Sequence, residues 1–122
     1  MPVKRFVKSM NFAIEGILHA ARTQRHIRYH LFASMLLLLA CFTLGINRDE
    51  FIILTVMAML VIVTEMINSV IEETVDLVCP HKNEKARVIK DMAAGAVLLV
   101  AAVALLVAYF LIKPYVIFFI KH

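Results

Sequence analysis

The segment TEMINSVIEETVD (Thr64–Asp76) follows directly on the apolar run FIILTVMAMLVIV (Phe51–Val63), with no proline or glycine between them. A helix that continued through both segments would carry four carboxylates and an asparagine next to thirteen almost uninterrupted membrane-type residues. Carboxylates inside a membrane are costly, so they face a bundle interior, a cavity or the interface. The pattern therefore predicts one helix that spans a membrane and has a function at its acidic end.

Helical periodicity places most of these polar side chains on one face. At about 100° per residue, four of them fall within an arc of roughly 80°; we call these four the polar row: Glu65, Asn68, Glu72 and Asp76. Glu73 flanks the row, and both Glu73 and Asp76 would equally suit a solvated helix end. Glu65 lies well inside the apolar helix and needs a partner, a proton or a metal.

Composition favours a membrane protein for the whole chain. Of its 122 residues, 62% are hydrophobic and only three are glycine and three proline, whereas soluble domains stay near half apolar. We expect an all-α integral membrane fold in one domain, with an N-terminal amphipathic surface helix and three transmembrane helices. The expected segments are the surface helix 1–29, spans 31–48, 51–79 and 92–112, a cytoplasmic loop 80–91 and a C-terminal tail 113–122.

The basic residues indicate how the chain crosses the membrane. Six of the thirteen Lys and Arg residues precede residue 31, one lies between the first two spans, and four lie between the second and third. The positive-inside rule then places the N-terminus in the cytoplasm and the C-terminus outside. The net charge of +4 is explained by this topology and by anionic lipid, so nucleic-acid binding is not expected.

Two chemistries suit the polar row. Two carboxylates seven residues apart can act as a general base and a hard-cation ligand, and Lys90 with nearby arginines could hold phosphates. This favours phosphoryl transfer, but an acidic row could also form a proton or cation channel. Standard nucleotide-binding glycine motifs are absent. His26 and His30 have a spacing that could suit a metal, although interfacial packing is the favoured interpretation.

The stretches TEMINSVIEETVDLV and KDMAAGAVLL together resemble the signature of the prokaryotic diacylglycerol kinase and undecaprenol kinase family. The resemblance extends from about Arg5 through the third span. It implies a homotrimer in the bacterial cytoplasmic membrane, with active sites shared between subunits. It also implies ATP as co-substrate, Mg²⁺ as cofactor and a membrane lipid alcohol, diacylglycerol or undecaprenol, as substrate.

The resemblance also implies roles for individual residues. Glu65 matches the catalytic base that takes the proton of the lipid hydroxyl, and Glu72 matches a metal ligand. Arg28, together with Glu65, is expected near the lipid substrate. The matches expected near the nucleotide are Asn68, Lys90, Asp91, Arg5, Phe12 and Asp76.

One departure from the family pattern concerns the metal. The family commonly has a glutamate on the surface helix that shares metal binding, and the matching residue here is Gln24. An amide oxygen can ligate Mg²⁺ but brings no negative charge, so Glu15 or Glu73 could substitute. The run RTQRHIRYH resembles the undecaprenol kinase branch more than the glycerolipid branch, although His26 stands where that branch has asparagine.

Overall fold

A computed structural model describes all 122 residues as an all-helical chain. Three of its helices are long and apolar enough to cross a membrane, and the amphipathic first helix fits a surface position. The expected fold class is therefore confirmed. The four helices are α1 (Pro2–Thr23), α2 (Arg25–Leu44), α3 (Arg48–Val78) and α4 (Glu84–Lys121).

The surface helix ends earlier than the sequence predicts, because the chain breaks at Gln24. The backbone of Gln24 is extended (φ −105°, ψ 108°), so α2 begins at Arg25 rather than at residue 31. The last carbonyls of a helix lack intrahelical partners. Here Arg28 Nη1 donates to the carbonyl oxygens of Ala21 (3.0 Å) and Arg22 (2.6 Å), which stabilises the break.

The turn between α2 and α3 is short and capped on both sides. Gly45 adopts the left-handed conformation (φ 72°, ψ 35°) that ends many helices, so α2 stops at Leu44 and not at residue 48. The Asn47 side chain accepts a hydrogen bond from the Glu50 N–H (2.9 Å) and so caps α3. The Asn47 N–H also donates to the Tyr115 hydroxyl (3.4 Å), which ties α4 to this turn.

Most of the predicted cytoplasmic loop 80–91 is helical. Pro80 follows the end of α3, but Asn83 already caps α4 by accepting from the Ala86 N–H (3.2 Å). Arg87 pairs with Glu84 and with Asp91 (2.7 Å) at helical spacing. Such pairs add modest stability to an exposed helix, so charged residues that the sequence suggested as a loop form the first turns of α4.

The predicted tail 113–122 is also helical, since α4 continues through Pro114 to Lys121. A proline inside a helix removes one backbone hydrogen bond. The flanking residues are apolar, and in a membrane their backbone groups must be satisfied within the helix. At 38 residues, α4 is roughly 57 Å long and exceeds a hydrocarbon layer of about 30 Å.

The helices bury little of one another. α3 packs against both α2 and α4, while α1 packs against α2. Most large apolar side chains are therefore exposed on the surface of the single chain. Only six residues are buried: Ile27, Cys41, Leu54, Val61, Ile62 and Ala93.

We expect Gly45→Ala to destabilise the protein by about 1 kcal/mol, because a Cβ is unfavourable at the positive φ of this residue. Gly16→Ala is the matched control, since Gly16 is helical and an added Cβ would meet no atom within 4 Å. The unfolding midpoint in an SDS titration of detergent-solubilised protein measures both. Equal midpoints for the two variants would contradict the assignment of Gly45 as the helix-ending residue.

Candidate active site

Glu65 is the most enclosed acid of the polar row. It lies in α3, thirteen residues and roughly 20 Å from the end of that helix at Val78, and its side chain is 13% exposed. No lysine or arginine pairs with it. Its partner is His30 of α2, whose Nε2 lies 3.2 Å from Glu65 Oε1.

His30 is the residue of this site that sequence reasoning missed. The spacing of His26 and His30 could suit a metal, and interfacial packing was the favoured interpretation, but His30 contacts the acid that most needs a partner. The contact between His30 and Glu65 could have been predicted from the sequence. α2 and α3 form a hairpin at Gly45, and His30 and Glu65 stand at similar distances from that turn along their helices, so an antiparallel pairing places them at one level.

The middle of the polar row consists of Asn68 and Glu72. Asn68 Nδ2 donates to Glu72 Oε1 (3.2 Å), one helical turn further along. Asn68 Oδ1 is buried and has no hydrogen-bond partner, which is unusual for a polar atom of a native structure. An unpartnered amide oxygen beside a carboxylate offers the hard oxygen donors that Mg²⁺ prefers, so these two residues fit a magnesium ion.

The Asp76 end of the row opens into a charged cleft of about 720 Å³ at the α3–α4 turn. Asp76 and Lys90 line the cleft and form an ion pair across it. Lys90 precedes the apolar part of α4, and its hydrogen bond to Asp76 raises the pKa of its ammonium group. Asp91 pairs with Arg87 instead (2.7 Å), so neighbouring residues Lys90 and Asp91 have different partners.

Gln24 does not contact the expected metal ligand. Its Nε2 donates to Glu73 Oε1 (3.4 Å), and a cavity of about 330 Å³ separates α1 from α3 on that side. Nowhere does the chain gather three or more His, Cys, Asp or Glu side chains in a metal-binding arrangement. Within one chain, the surface helix therefore approaches Glu73 at the edge of the polar row.

Three further predicted site residues lie apart from the row. Arg28 bonds the carbonyls at the end of α1. Arg5 and Phe12 are exposed on α1; Arg5 forms no ion pair, and the Phe12 ring pairs with no other aromatic ring. Their expected contacts with nucleotide and lipid stay predictions.

The row thus joins two environments along one helix face. The Glu65 side chain is 13% exposed, while that of Asp76, eleven residues and roughly 16 Å away along α3, is 62% exposed. An enclosed carboxylate can accept a proton, and oxygen ligands and a lysine nearer the water can position phosphates.

Comparison with known proteins identifies the relatives of this chain. The prokaryotic diacylglycerol kinase family matches residues 11–112. The undecaprenol kinase of Bacillus subtilis (strain 168) is 31% identical over 112 residues, which are 92% of this chain and 91% of the relative. A diacylglycerol kinase of Synechocystis sp. is 35% identical over 107 residues, 87% of this chain and 61% of the relative. A diacylglycerol kinase of Pseudomonas aeruginosa is 28% identical over 94 residues, 77% of this chain and 76% of the relative.

Proposed function

Because this chain belongs to the prokaryotic diacylglycerol kinase family and is an ATP-dependent lipid kinase, we propose that it phosphorylates a membrane lipid alcohol with Glu65 as the general base. The observation that carries this proposal is the enclosure of Glu65 well inside α3, where His30 is its partner and no lysine or arginine pairs with it. A carboxylate in that position can accept a proton from a hydroxyl that stays in the membrane. Membership of a kinase family also decides against the channel alternative.

In the proposed reaction, Glu65 takes the proton of the lipid hydroxyl. The hydroxyl oxygen forms a bond to the γ-phosphorus of ATP, the bond from that phosphorus to the bridging oxygen breaks, and ADP leaves. The products are a lipid phosphate, ADP and a protonated Glu65, which then returns its proton to water. Because such a transfer has little covalent chemistry for the protein to perform, positioning and charge neutralisation are its main contributions.

We propose that Mg²⁺ is held by Glu72 and Asn68. The support is the unpartnered Asn68 Oδ1 beside the Glu72 carboxylate. When bound, the ion would neutralise negative charge on the phosphates.

Lys90 and Asp76, which line the charged cleft, are proposed to engage the nucleotide, with Asp91 beside them. Arg5 and Phe12 are proposed as further nucleotide contacts from α1, and Arg28 as a contact to the lipid. The assignments of Arg5, Phe12 and Arg28 rest on the family resemblance, since none of these three side chains forms a hydrogen bond or ion pair with the polar row in this chain.

Undecaprenol is the first candidate for the lipid and diacylglycerol the second. The Bacillus subtilis relative, named undecaprenol kinase, matches this chain over nearly the full length of both proteins. The Synechocystis relative, named diacylglycerol kinase, has the higher identity, but this chain covers only 61% of it. The products would be undecaprenyl phosphate or phosphatidic acid.

A labelled-phosphate assay tests this proposal. Purified protein in mixed micelles receives MgATP labelled at the γ-position and undecaprenol, diacylglycerol or ceramide, and the lipid fraction is counted. We expect label in undecaprenol. Glu65→Gln should lower kcat by about 10²- to 10⁴-fold, because it removes the base, while the oligomer stays assembled. Asp49→Asn is the control, since Asp49 is an exposed acid at the opposite end of the same helix.

Three outcomes would each contradict a part of the proposal. Label in none of the lipid alcohols would overturn lipid phosphorylation by this chain. Full activity of Glu65→Gln would be consistent with the kinase activity but would contradict the role of Glu65 as the general base. Label in diacylglycerol instead of undecaprenol would replace the first substrate candidate by the second.

Gln24→Glu should lower the Mg²⁺ concentration for half-maximal rate, by up to about tenfold. The substitution would add a carboxylate beside Glu73, the residue next to the proposed ligand Glu72, and the added negative charge would attract a divalent cation to this end of the row. Gln24→Met is the control, because it keeps the length of the side chain without an oxygen donor. An unchanged Mg²⁺ dependence in Gln24→Glu would contradict a metal-binding role for this position.

We propose that the chain works as a homotrimer with its N-terminus in the cytoplasm and its C-terminus outside. ATP in the cytoplasm could then reach the charged cleft, which lies beside the four basic residues between the second and third spans. Support for assembly comes from the small core of six buried residues and from α1, which buries none of its own. A neighbouring subunit could cover the exposed acids of the row.

Shared active sites would allow two inactive variants to complement each other. We expect native mass spectrometry to find three copies of the chain in detergent. If the site takes α1 and α3 from different subunits, mixed oligomers of Arg5→Ala and Glu65→Gln should regain measurable activity, whereas each variant alone stays low. A fully active monomer would contradict the trimer, and absent complementation would contradict this division of the site between subunits.

A further inference from the structure

His30 is the only polar side chain that contacts the Glu65 carboxylate. Its Nε2 stands 3.2 Å from Glu65 Oε1, and its own side chain is 36% exposed. The other nearby polar group, the Ser69 hydroxyl, donates to the backbone carbonyl of Glu65 (3.1 Å) and leaves the carboxylate alone. Glu65 Oε1 therefore faces the imidazole, and the carboxylate has no other polar neighbour in the chain to fix its orientation.

His30 also lies on the wall of an apolar cavity between three helices. This cavity of about 180 Å³ is lined by residues of α2, α3 and α4, among them Ala58, Val61 and Ala101. His30 and Ser34 are its only polar lining residues. The imidazole thus stands between the carboxylate of the proposed base and the apolar space of the membrane-spanning bundle.

The register of α2 places His30 at this point. Ile27, one turn earlier, is 2% exposed and anchors the start of α2 in the bundle. Arg28 is bonded to the end of α1, so α2 is held at its first turn. His30 follows at an inward position, whereas His26 is exposed on the same helix.

We propose that His30 is a positioning residue for the base of the lipid kinase reaction. With its proton on Nε2, the imidazole lies 3.2 Å from Glu65 Oε1, and this charge–dipole contact holds the carboxylate in one orientation. Glu65 Oε2 is then the oxygen that accepts the proton of the lipid hydroxyl. This inference rests on the proposed role of Glu65. It adds a residue that acts through Glu65 without touching the reacting atoms.

Three substitutions at or near His30 test the proposal with the lipid that the wild type phosphorylates. His30→Leu removes the N–H donor and should lower kcat by about 10- to 100-fold, because a misplaced base costs rate of that order. The KM values for ATP and lipid should change little, since His30 binds neither. His30→Gln places an amide N–H near the same point and should restore most of the lost kcat. His26→Leu, on an exposed histidine one turn away, should match the wild type.

A Glu65→Gln background separates positioning from a merely structural role. If His30 acts through Glu65, His30→Leu should leave the residual rate of Glu65→Gln unchanged, because the base is already missing. A further loss in that background, or a wild-type kcat in His30→Leu, would overturn the inference. So would failure of His30→Gln to exceed His30→Leu in variants that assemble normally by size-exclusion chromatography. If His30→Leu does not assemble, His30→Met, which also lacks the N–H, takes its place.

These outcomes differ from a failure of the proposed function. If the wild type phosphorylates no lipid alcohol, the kinase proposal falls and with it the premise for His30. If the wild type is active and depends on Glu65 while His30→Leu retains full kcat, only the inference about His30 is wrong.

Discussion

The placement of one carboxylate in an apolar helix constrains the rest of this structure. An isolated ionised carboxylate in an apolar medium is strongly unfavourable, so it must be neutral, paired or hydrated. Glu65 meets this requirement through a single contact with His30 on the neighbouring helix. That contact needs α2 to lie against α3 at one level, which the tight turn at Gly45 allows by joining the two helices as an antiparallel hairpin. The polar site and the packing of the first two spans therefore depend on each other.

The break at Gln24 fixes the other end of α2, because α2 begins directly after it. If α1 continued straight into α2, the amphipathic and the apolar segment would form one helix. A single straight helix cannot lie in the interface over one part of its length and cross the membrane over the other. The extended backbone at Gln24 lets α1 change direction, and the hydrogen bonds of Arg28 satisfy the carbonyls that the break exposes. The residue that the family pattern associates with metal binding is thus also the residue at which the surface helix ends and the first span begins.

The length of apolar runs predicted the three spans, because a membrane imposes one physical scale on every crossing helix. Helix ends were harder to predict, since they depend on local contacts. Pairing of Arg87 with Glu84 and Asp91 extends α4 into residues that look like a loop, and apolar neighbours carry α4 through Pro114. His30 was missed for a different reason. Periodicity reports which residues of one helix share a face, but the partner of Glu65 comes from a second helix, and only the hairpin geometry brings the two together.

The two proposed substrates, a lipid alcohol and ATP, prefer different solvents, and the polar row extends between the two environments. A lipid hydroxyl stays at the membrane, whereas a nucleotide triphosphate is too charged to enter it. A helix that crosses the interface can serve both, because one of its faces passes from low to high solvent exposure within a few turns. α3 does this between Glu65, whose side chain is 13% exposed, and Asp76, at 62%. In the proposed reaction, proton acceptance at the enclosed end and phosphate binding at the open end would require no movement of either substrate out of its own medium.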